Sequence, residues 1–433
     1  MVAQEFLSLI DQFKLSSYAG LEDFADRLNF IFSVVILSLS MVIVTAKAYF
    51  FKPLSCYVAT TPSGMNFDGY MENYCWVHGT IPFLENERIP DKPEDWAIWD
   101  ADKRITYYQW VPFILGLQCI LFYIPKLLWE IICYNKLGTN LETLITAATD
   151  SSKLPPSERK SVLNNIIRII EDLLYQHRDY RQGKMAKARR RIYEYCNFCV
   201  FSKHLGTWLV STYFFIKCLY GINVIGQLYL MKSFLGFNSS MSSFGYTILN
   251  DIISGKSWHE TRNFPRVSYC YNADIKHLGA VNTYVAQCTL PVNMLNEKIY
   301  IFLWFWVLLV GIITLLSILQ WVVRIVFLSK RSMFAKKLLK MHQSYQRSEN
   351  LTVNHFIKEY LRYDGLFLIR MIYINSGDIV AAEILNGLWE TYKNKYINHD
   401  FTNYNNYEKL ISGRQDDKSF DNTLKNDSNS QLL

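Results

Sequence analysis

Charge-free stretches of bilayer-spanning length recur along this chain. Leu28 to Ala46, Ile105 to Pro125 and Ile299 to Val323 carry no charged residue, and Leu205 to Met231 carries only Lys217. A hydrocarbon core about 30 Å thick needs about 20 mostly apolar residues per helix, so each stretch predicts a membrane helix, and four of them put both termini on one side. The spans are placed at 28–50, 105–132, 204–231 and 299–323. Elsewhere the pattern turns amphipathic. Val2, Phe6, Leu9 and Phe13 recur at helical spacing with Ile10 beside them, while Gln4, Glu5, Ser8, Asp11 and Gln12 fill the other side. An N-terminal amphipathic helix with its linker is therefore expected over 1–27. Val162, Ile166, Ile169, Ile170, Leu173 and Leu174 predict another helix between the second and third spans, ahead of basic residues Lys184, Lys187, Arg189, Arg190 and Arg191. The region 324–396 is again helical in pattern, and from Asn398 onward polar residues dominate, so 397–433 is expected to be a disordered tail.

Charge then orients the spans. Basic residues near span ends are retained in the cytoplasm. Cys133 to Lys203 carries thirteen Lys/Arg against seven acids, whereas Phe51 to Arg104 carries five against nine. The loop 133–203 and both termini are therefore expected inside, with 51–104 and 232–298 as outer loops. The second of these carries six Lys/Arg but is long enough to be translocated despite them. The net charge of +7 falls mostly on the inner side. No secretory leader is expected, because Met1 to Ser16 holds Glu5 and Asp11 and no basic start.

Within the spans two patterns carry possible function. Asn29, Ser33, Ser40 and Lys47 fall within roughly 40° of one another at 3.6 residues per turn, a polar stripe that suits either a pore lining or close helix packing. Lys47 favours water, and a charged ring at that end would bear on ion selectivity, with Asp68 and Glu72 near enough in sequence to compensate it. Pro112 and Pro125 each remove a helix hydrogen bond and predict a bend in the second span.

The nine cysteines divide by side of the membrane. Cys56 and Cys75 fall in one outer loop and Cys270 and Cys288 in the other, an even set in an oxidising compartment that argues for disulfides with three possible pairings. Cys119, Cys133, Cys196, Cys199 and Cys218 are expected as thiols. The Cys196 to Cys199 pair has metal-ligand spacing with His204 nearby, yet no second CxxC completes a four-ligand set, so no metal is expected. Gly255-Lys256-Ser257 lacks the first glycine of a phosphate loop, since position 250 is Asn250. His259-Glu260 has no second histidine, and no paired carboxylates or nucleophile triad appear. No enzyme activity, cofactor or nucleic-acid partner is expected. Coupled transport is also disfavoured, because Lys217 is the one ionisable group well inside a span.

The string Tyr107-Tyr108-Gln109-Trp110-Val111-Pro112-Phe113 resembles the signature of the innexins, the invertebrate gap-junction proteins. The resemblance extends to Asp23-Phe24-Ala25-Asp26-Arg27-Leu28-Asn29 and Phe264-Pro265-Arg266-Val267. It continues through Gln287-Cys288-Thr289-Leu290-Pro291-Val292-Asn293, Asn296-Glu297-Lys298-Ile299-Tyr300 and Phe302-Leu303-Trp304-Phe305-Trp306. In the tail, Tyr360-Leu361-Arg362-Tyr363-Asp364-Gly365 and Phe367-Leu368-Ile369-Arg370-Met371 are similar too, so the match covers roughly residues 1 to 395. It implies an all-α membrane protein: four spans, an N-terminal pore helix, disulfide-braced outer loops and a helical cytoplasmic dome, assembled as a ring. It implies the pairing Cys56 with Cys288 and Cys75 with Cys270, and an N-terminal helix folded into a pore mouth rather than onto the inner leaflet, so Val2, Gln4 and Glu5 join Asn29, Ser33, Ser40 and Lys47 as pore-lining candidates. Partners would be like subunits, eight favoured over six, a docked ring on the neighbouring cell, and membrane lipids. Ions and small metabolites would pass between cells.

Asn238-Ser239-Ser240 is a glycosylation sequon in the second outer loop. A glycan there would obstruct docking and favour an unpaired, pannexin-like hemichannel. Sequons at Asn350 and Asn426 fall on the expected cytoplasmic side. A four-span adhesion protein of tetraspanin or claudin type is the remaining alternative, disfavoured by the long middle loop and tail.

Overall fold

The computed structural model describes residues 22–58, 64–83, 87–137, 141–175, 206–235, 264–277, 279–342 and 349–397. The expected N-terminal helix with Val2, Gln4 and Glu5, the basic residues from Lys184 to Arg191, the Cys196 to Cys199 pair, Asn238 and the tail beyond 397 lie outside the described residues. In chain order the elements are α1 (Phe24–Phe50), β1 (Ser55–Tyr57), α2 (Met65–His78), α3 (Pro93–Lys103), α4 (Tyr107–Leu137), α5 (Leu141–Ser151), α6 (Pro156–Tyr175), α7 (Trp208–Phe234), β2 (Val267–His277), β3 (Ala280–Thr289), α8 (Pro291–Val326), α9 (Leu328–Met341), α10 (Asn350–His355), α11 (Arg362–Ser376) and α12 (Asp378–Tyr392). The described residues divide into two compact units, those within 22–132 and 214–320 and those within 133–213 and 321–397.

In the first unit α1, α4, α7 and α8 are each long and apolar enough to cross a membrane. Their shared core is built at helical spacing. α8 contributes Tyr300, Leu303, Val307 and Val310, one stripe of that helix, against Leu37 and Val44 of α1, Val111, Leu115 and Phe122 of α4, and Val224 and Met231 of α7. The outward faces are apolar as well, with Val42, Phe113, Ile120, Ile222, Ile225, Ile312 and Leu315 exposed. A helix apolar all round belongs in lipid or in a larger assembly, because water would oppose such a surface. Glycine lets two of the helices close on each other: a Cβ at Gly311 would lie 2.9 Å from Val224 Cγ1. The bend expected at Pro112 and Pro125 does not interrupt α4, which runs through both prolines as one helix.

The same unit carries a small sheet that the helical expectation did not contain. Its order is β1-β3-β2, antiparallel throughout, with Cys56 opposite Cys288 and Cys270 opposite Ala286. A register shift between Cys270 and Ala273 breaks the β2–β3 ladder. α2 packs over this sheet, burying Met71 and Cys75 against Cys270, Ala286 and Cys288.

The second unit is helical throughout its described residues. Ile166, Ile170 and Leu173 of α6 are buried as their spacing predicts, joined by Leu163, whereas Ile169 is exposed. α6 meets α12 closely enough that a Cβ at Gly387 would collide with Ile167. Arg159 to Glu383 at 2.9 Å and Lys395 to Glu171 at 2.7 Å add ion pairs between the α6 layer and the C-terminal helices. The centre of the unit is Trp389 of α12, stacked on Tyr392 and met edge-on by Phe356 at 5.0 Å.

Candidate functional site

The first unit assembles three features relevant to function: a braced cap on the sheet, a joint made by the signature string, and the polar face of α1. The cap owes its order to two disulfides. Cys56 is bonded to Cys288 across β1 and β3, and Cys75 of α2 is bonded to Cys270 of β2. The sulfurs of Cys56, Cys75 and Cys288 lie within 4.8 Å of one another, so the two bonds sit side by side in one small core. All three are consumed in disulfides, which leaves no thiolate for a metal. Each bond closes a long loop, spanning 232 and 195 residues, and a native disulfide is worth about 2–4 kcal/mol.

Aromatic packing extends the cap to α3. Phe83 stacks on Trp99 at 4.6 Å and meets Trp96 and Tyr269 edge-on, while Trp96 lies parallel to Tyr271 at 5.2 Å. The Lys103 ammonium sits 3.1 Å over the Trp99 ring. On α2, His78 stacks on Tyr74, and burial together with the nearby Arg104 guanidinium lowers its pKa below the usual imidazole value.

The signature string forms the joint between this cap and the spans. Gln109 donates from Nε2 to the carbonyls of Trp76 and, at 3.2 Å, Val77 at the end of α2. Tyr108 is fully buried against Trp76, Leu290 and Val292, and Tyr107 is met edge-on by Phe234 of α7 and by Phe264. Val111 enters the core of the span bundle, while Trp110 and Phe113 face outward. Each turn of the string thus has a separate partner, which explains why those residue types stand in that order. Asn293, Asn296 and Glu297 at the start of α8 are buried beside the joint. Asn293 donates to Pro265 O at 3.1 Å, and Glu297 pairs with Lys298 at 2.9 Å.

The polar stripe of α1, which suited either a pore lining or close helix packing, meets α8 at its first two residues. Asn29 and Ser33 are 0 % exposed, which places them against α8 rather than on a wall open to water. Asn29 Nδ2 donates to Thr314 Oγ1 at 2.8 Å and to Ala25 O. The Trp306 indole donates to Ser33 Oγ at 3.0 Å, and Ser33 Oγ donates to Leu28 O. The latter bond falls in a π turn over Leu28–Phe32. Ser40 is also buried and returns its hydroxyl to Ile36 O. A wheel gives the angle between residues on one helix but not the neighbour that angle meets, and small polar groups serve packing in membranes as well as they serve water. Lys47, half-buried, donates to Lys52 O at 3.0 Å, and Glu72 pairs with Lys52 rather than with Lys47.

Lys217, isolated in the sequence pattern, is the centre of a buried ion cluster. It is 0 % exposed and lies 2.5 Å from Asp23 Oδ1, 2.9 Å from Asp26 Oδ1 and 2.8 Å from Ser317 Oγ. Asp23 also caps α1, accepting from the Asp26 amide, and takes a further bond from Ser317 Oγ at 2.8 Å. A second buried pair joins Lys126 of α4 to Glu22. These contacts fix the start of α1 to α4, α7 and α8. The signal that could have found them is the charge itself, because a cation inside a span demands a counter-charge. Glu22, Asp23 and Asp26 are acids that stand directly ahead of the first span. Among the described residues Cys119 and Cys218 are free thiols.

A family model described as Innexin matches residues 22–392. The chain is similar to Innexin unc-9 of Caenorhabditis elegans, 32 % identical over 371 residues, covering 86 % of this chain and 92 % of that protein. It is also similar to Innexin-19 of Caenorhabditis briggsae, 30 % identical over 91 % of this chain and 90 % of the relative, and to Innexin-19 of Caenorhabditis elegans, 31 % identical over 88 % and 85 %.

Proposed function

The chain belongs to the innexin family, and from that premise we propose that it closes, as one of eight like subunits, a ring whose disulfide-braced cap docks on a ring of the neighbouring cell. Innexins are gap-junction channel subunits rather than enzymes, and they assemble as rings of like subunits. This chain is accordingly a multi-pass membrane protein of gap junctions that passes ions and small metabolites between cells. Its N- and C-termini and the 133–203 loop face the cytoplasm, a placement supported by the basic balance of that loop. The cysteine distribution supports it too, since both disulfides fall within 51–104 and 232–298, the loops assigned to the oxidising side. With Asn29 and Ser33 committed to α8, the pore wall falls to the N-terminal segment with Val2, Gln4 and Glu5, and to Lys47 at the far end of α1.

The observation that carries the docking role is the pair of adjacent disulfides, which hold β1, β2, β3 and α2 as one rigid surface joined directly to the span bundle through Gln109 and Tyr108. A surface that must match a partner loses less entropy on binding when it is already ordered. Two paired cells, each voltage-clamped, test the reading. Current between the cells is expected with the wild type and is expected to vanish with Cys56→Ser delivered normally to the surface. Current across the single-cell membrane alone would instead make the protein a hemichannel, and none in either configuration would leave adhesion.

A further inference from the structure

The second unit holds a half-open hollow of about 40 Å³, lined by the last turns of α8, the start of α9, one face of α11 and Val210 of α7. Its lining is chemically one-sided. Arg324, Lys330, Arg331 and Arg370 all contribute to it, and among the described residues no acidic side chain does. Two of the guanidiniums are held in place by aromatic rings: Arg331 lies 4.0 Å from the Tyr363 ring centre and Arg370 lies 4.3 Å from that of Phe334. Arg331 Nε is buried with no hydrogen-bond partner among the described residues. The acid beside Tyr363 in sequence, Asp364, is spent elsewhere, accepting from the Val210 amide at 3.1 Å at the start of α7. Burial and the neighbouring Arg324 charge lower the Arg370 pKa to about 10, so the cations repel one another across the hollow.

We infer that this hollow is a binding site for a phosphate-monoester anion, with Arg331 and Arg370 as its fork-shaped donors and Arg324 and Lys330 as supporting charges. Fixed guanidinium planes suit the bidentate recognition of phosphate oxygens, which a single lysine does not provide. The bound anion also relieves the mutual repulsion of the cations and supplies an acceptor for the buried Arg331 Nε. Chain position favours a lipid source. Trp321 and Arg324 close the apolar run of α8, where a span leaves the hydrocarbon, and headgroup phosphates lie at that depth. Ile325 and Leu366 line the hollow beside the cations, apolar surface suited to the glycerol end of a lipid. The inference rests on the channel reading only for which leaflet supplies the headgroup.

The test uses the full-length ring in phosphatidylcholine nanodiscs, titrated with a fluorescent phosphatidylinositol 4,5-bisphosphate. Saturable binding is expected, weakened roughly tenfold or more by the Arg331→Gln, Arg370→Gln pair, since ~1.4 kcal/mol per tenfold is less than charge-assisted bonds supply. The charge-matched pair Lys340→Gln, Lys358→Gln, exposed and outside the hollow, is expected to stay within about twofold. Equal weakening by both pairs would reduce the effect to diffuse attraction and overturn the site, as would equal binding of phosphatidylinositol lacking the monoester phosphates. Soluble inositol trisphosphate and inorganic phosphate serve as competitors. Displacement of the lipid by the trisphosphate at concentrations where inorganic phosphate has no effect supports headgroup recognition, and displacement by inorganic phosphate at equal or lower concentration assigns the site to free phosphate. If the Gln pair fails to assemble, Arg370→Lys takes its place, keeping the charge but losing the fork. Weaker binding by that intact ring supports the proposal and unchanged affinity overturns it. Binding is read without conductance, so a failed channel assay leaves this outcome independent.

Discussion

The cap and the helical second unit solve the same problem, holding short elements in order, by opposite chemistry. The cap buries little apolar surface: its core is Met71, Cys75, Cys270, Ala286 and Cys288, with Phe67, Tyr74 and Tyr284 at the edge. Three strands and one helix of that size would be marginal alone, and two cross-links supply what burial does not. The second unit has no disulfide among its described residues and relies on burial, with Leu338, Phe356, Leu368, Ile372, Leu385 and Trp389 all essentially inaccessible. A disulfide persists only where the medium oxidises, so each device belongs to one compartment. A small rigid surface can rely on covalent bonds where the medium oxidises, whereas a region without them must devote residues to a core.

The most severe way to break that contrast is to remove the centre of the second unit. Trp389→Ala is expected to cost about 3–5 kcal/mol, the usual loss for a buried Trp, and to raise hydrogen exchange through α10, α11 and α12 while leaving α2 and β2 protected. Spread of the loss into the cap would show that the units do not fold as separate bodies. The complementary change is Cys75→Ser, expected to cost about 2–5 kcal/mol and to expose α2, β2 and β3 to exchange. Mild reductant should reproduce its pattern in the wild type and leave the Trp389 region unchanged. If reductant loosens α12 as well, the division of labour described above fails.

How legible these regions were in the sequence differs for the same physical reason. The four membrane helices could be placed because a span must be apolar for its whole length, and length is written directly in the sequence. α6 was legible because burial of one face leaves a period, and Ile166, Ile170 and Leu173 follow it. The cap was visible only as cysteines. β2 and β3 alternate too weakly to stand out, since Val267 and Val281 are exposed and the ladder shifts after Cys270. The packing neighbours of α1 were not legible, and the pairing of Lys217 was signalled only by its charge. Ser33 meets Trp306 and Lys217 meets Asp23 across separations of 273 and 194 residues, contacts that no local pattern encodes.

The two regions should also answer acid in opposite directions. Burial raises the Asp364 pKa from 3.8 to about 6, even though it accepts backbone amides at the start of α7. Between those values the folded protein holds a proton that the unfolded chain has released. That contribution to the second unit's stability is therefore full at about pH 4 and is lost as pH rises through about 6. His78 in the cap is a base whose folded pKa lies below 6.5, so the unfolded chain binds the proton more readily, and the cap is weakened as pH falls below 6.5. Lowering pH from neutral toward 5 should loosen the cap while tightening the second unit. The measurement is the thermal midpoint of each region against pH, with Asp364→Asn and His78→Gln as references. Asp364→Asn is expected to remove roughly 1–3 kcal/mol of pH dependence from the second unit alone, and His78→Gln to flatten the cap's smaller slope of opposite sign. Slopes of the same sign in both regions would mean that neither side chain governs the acid response, and that the contrast between cap and core stops at covalent bonding.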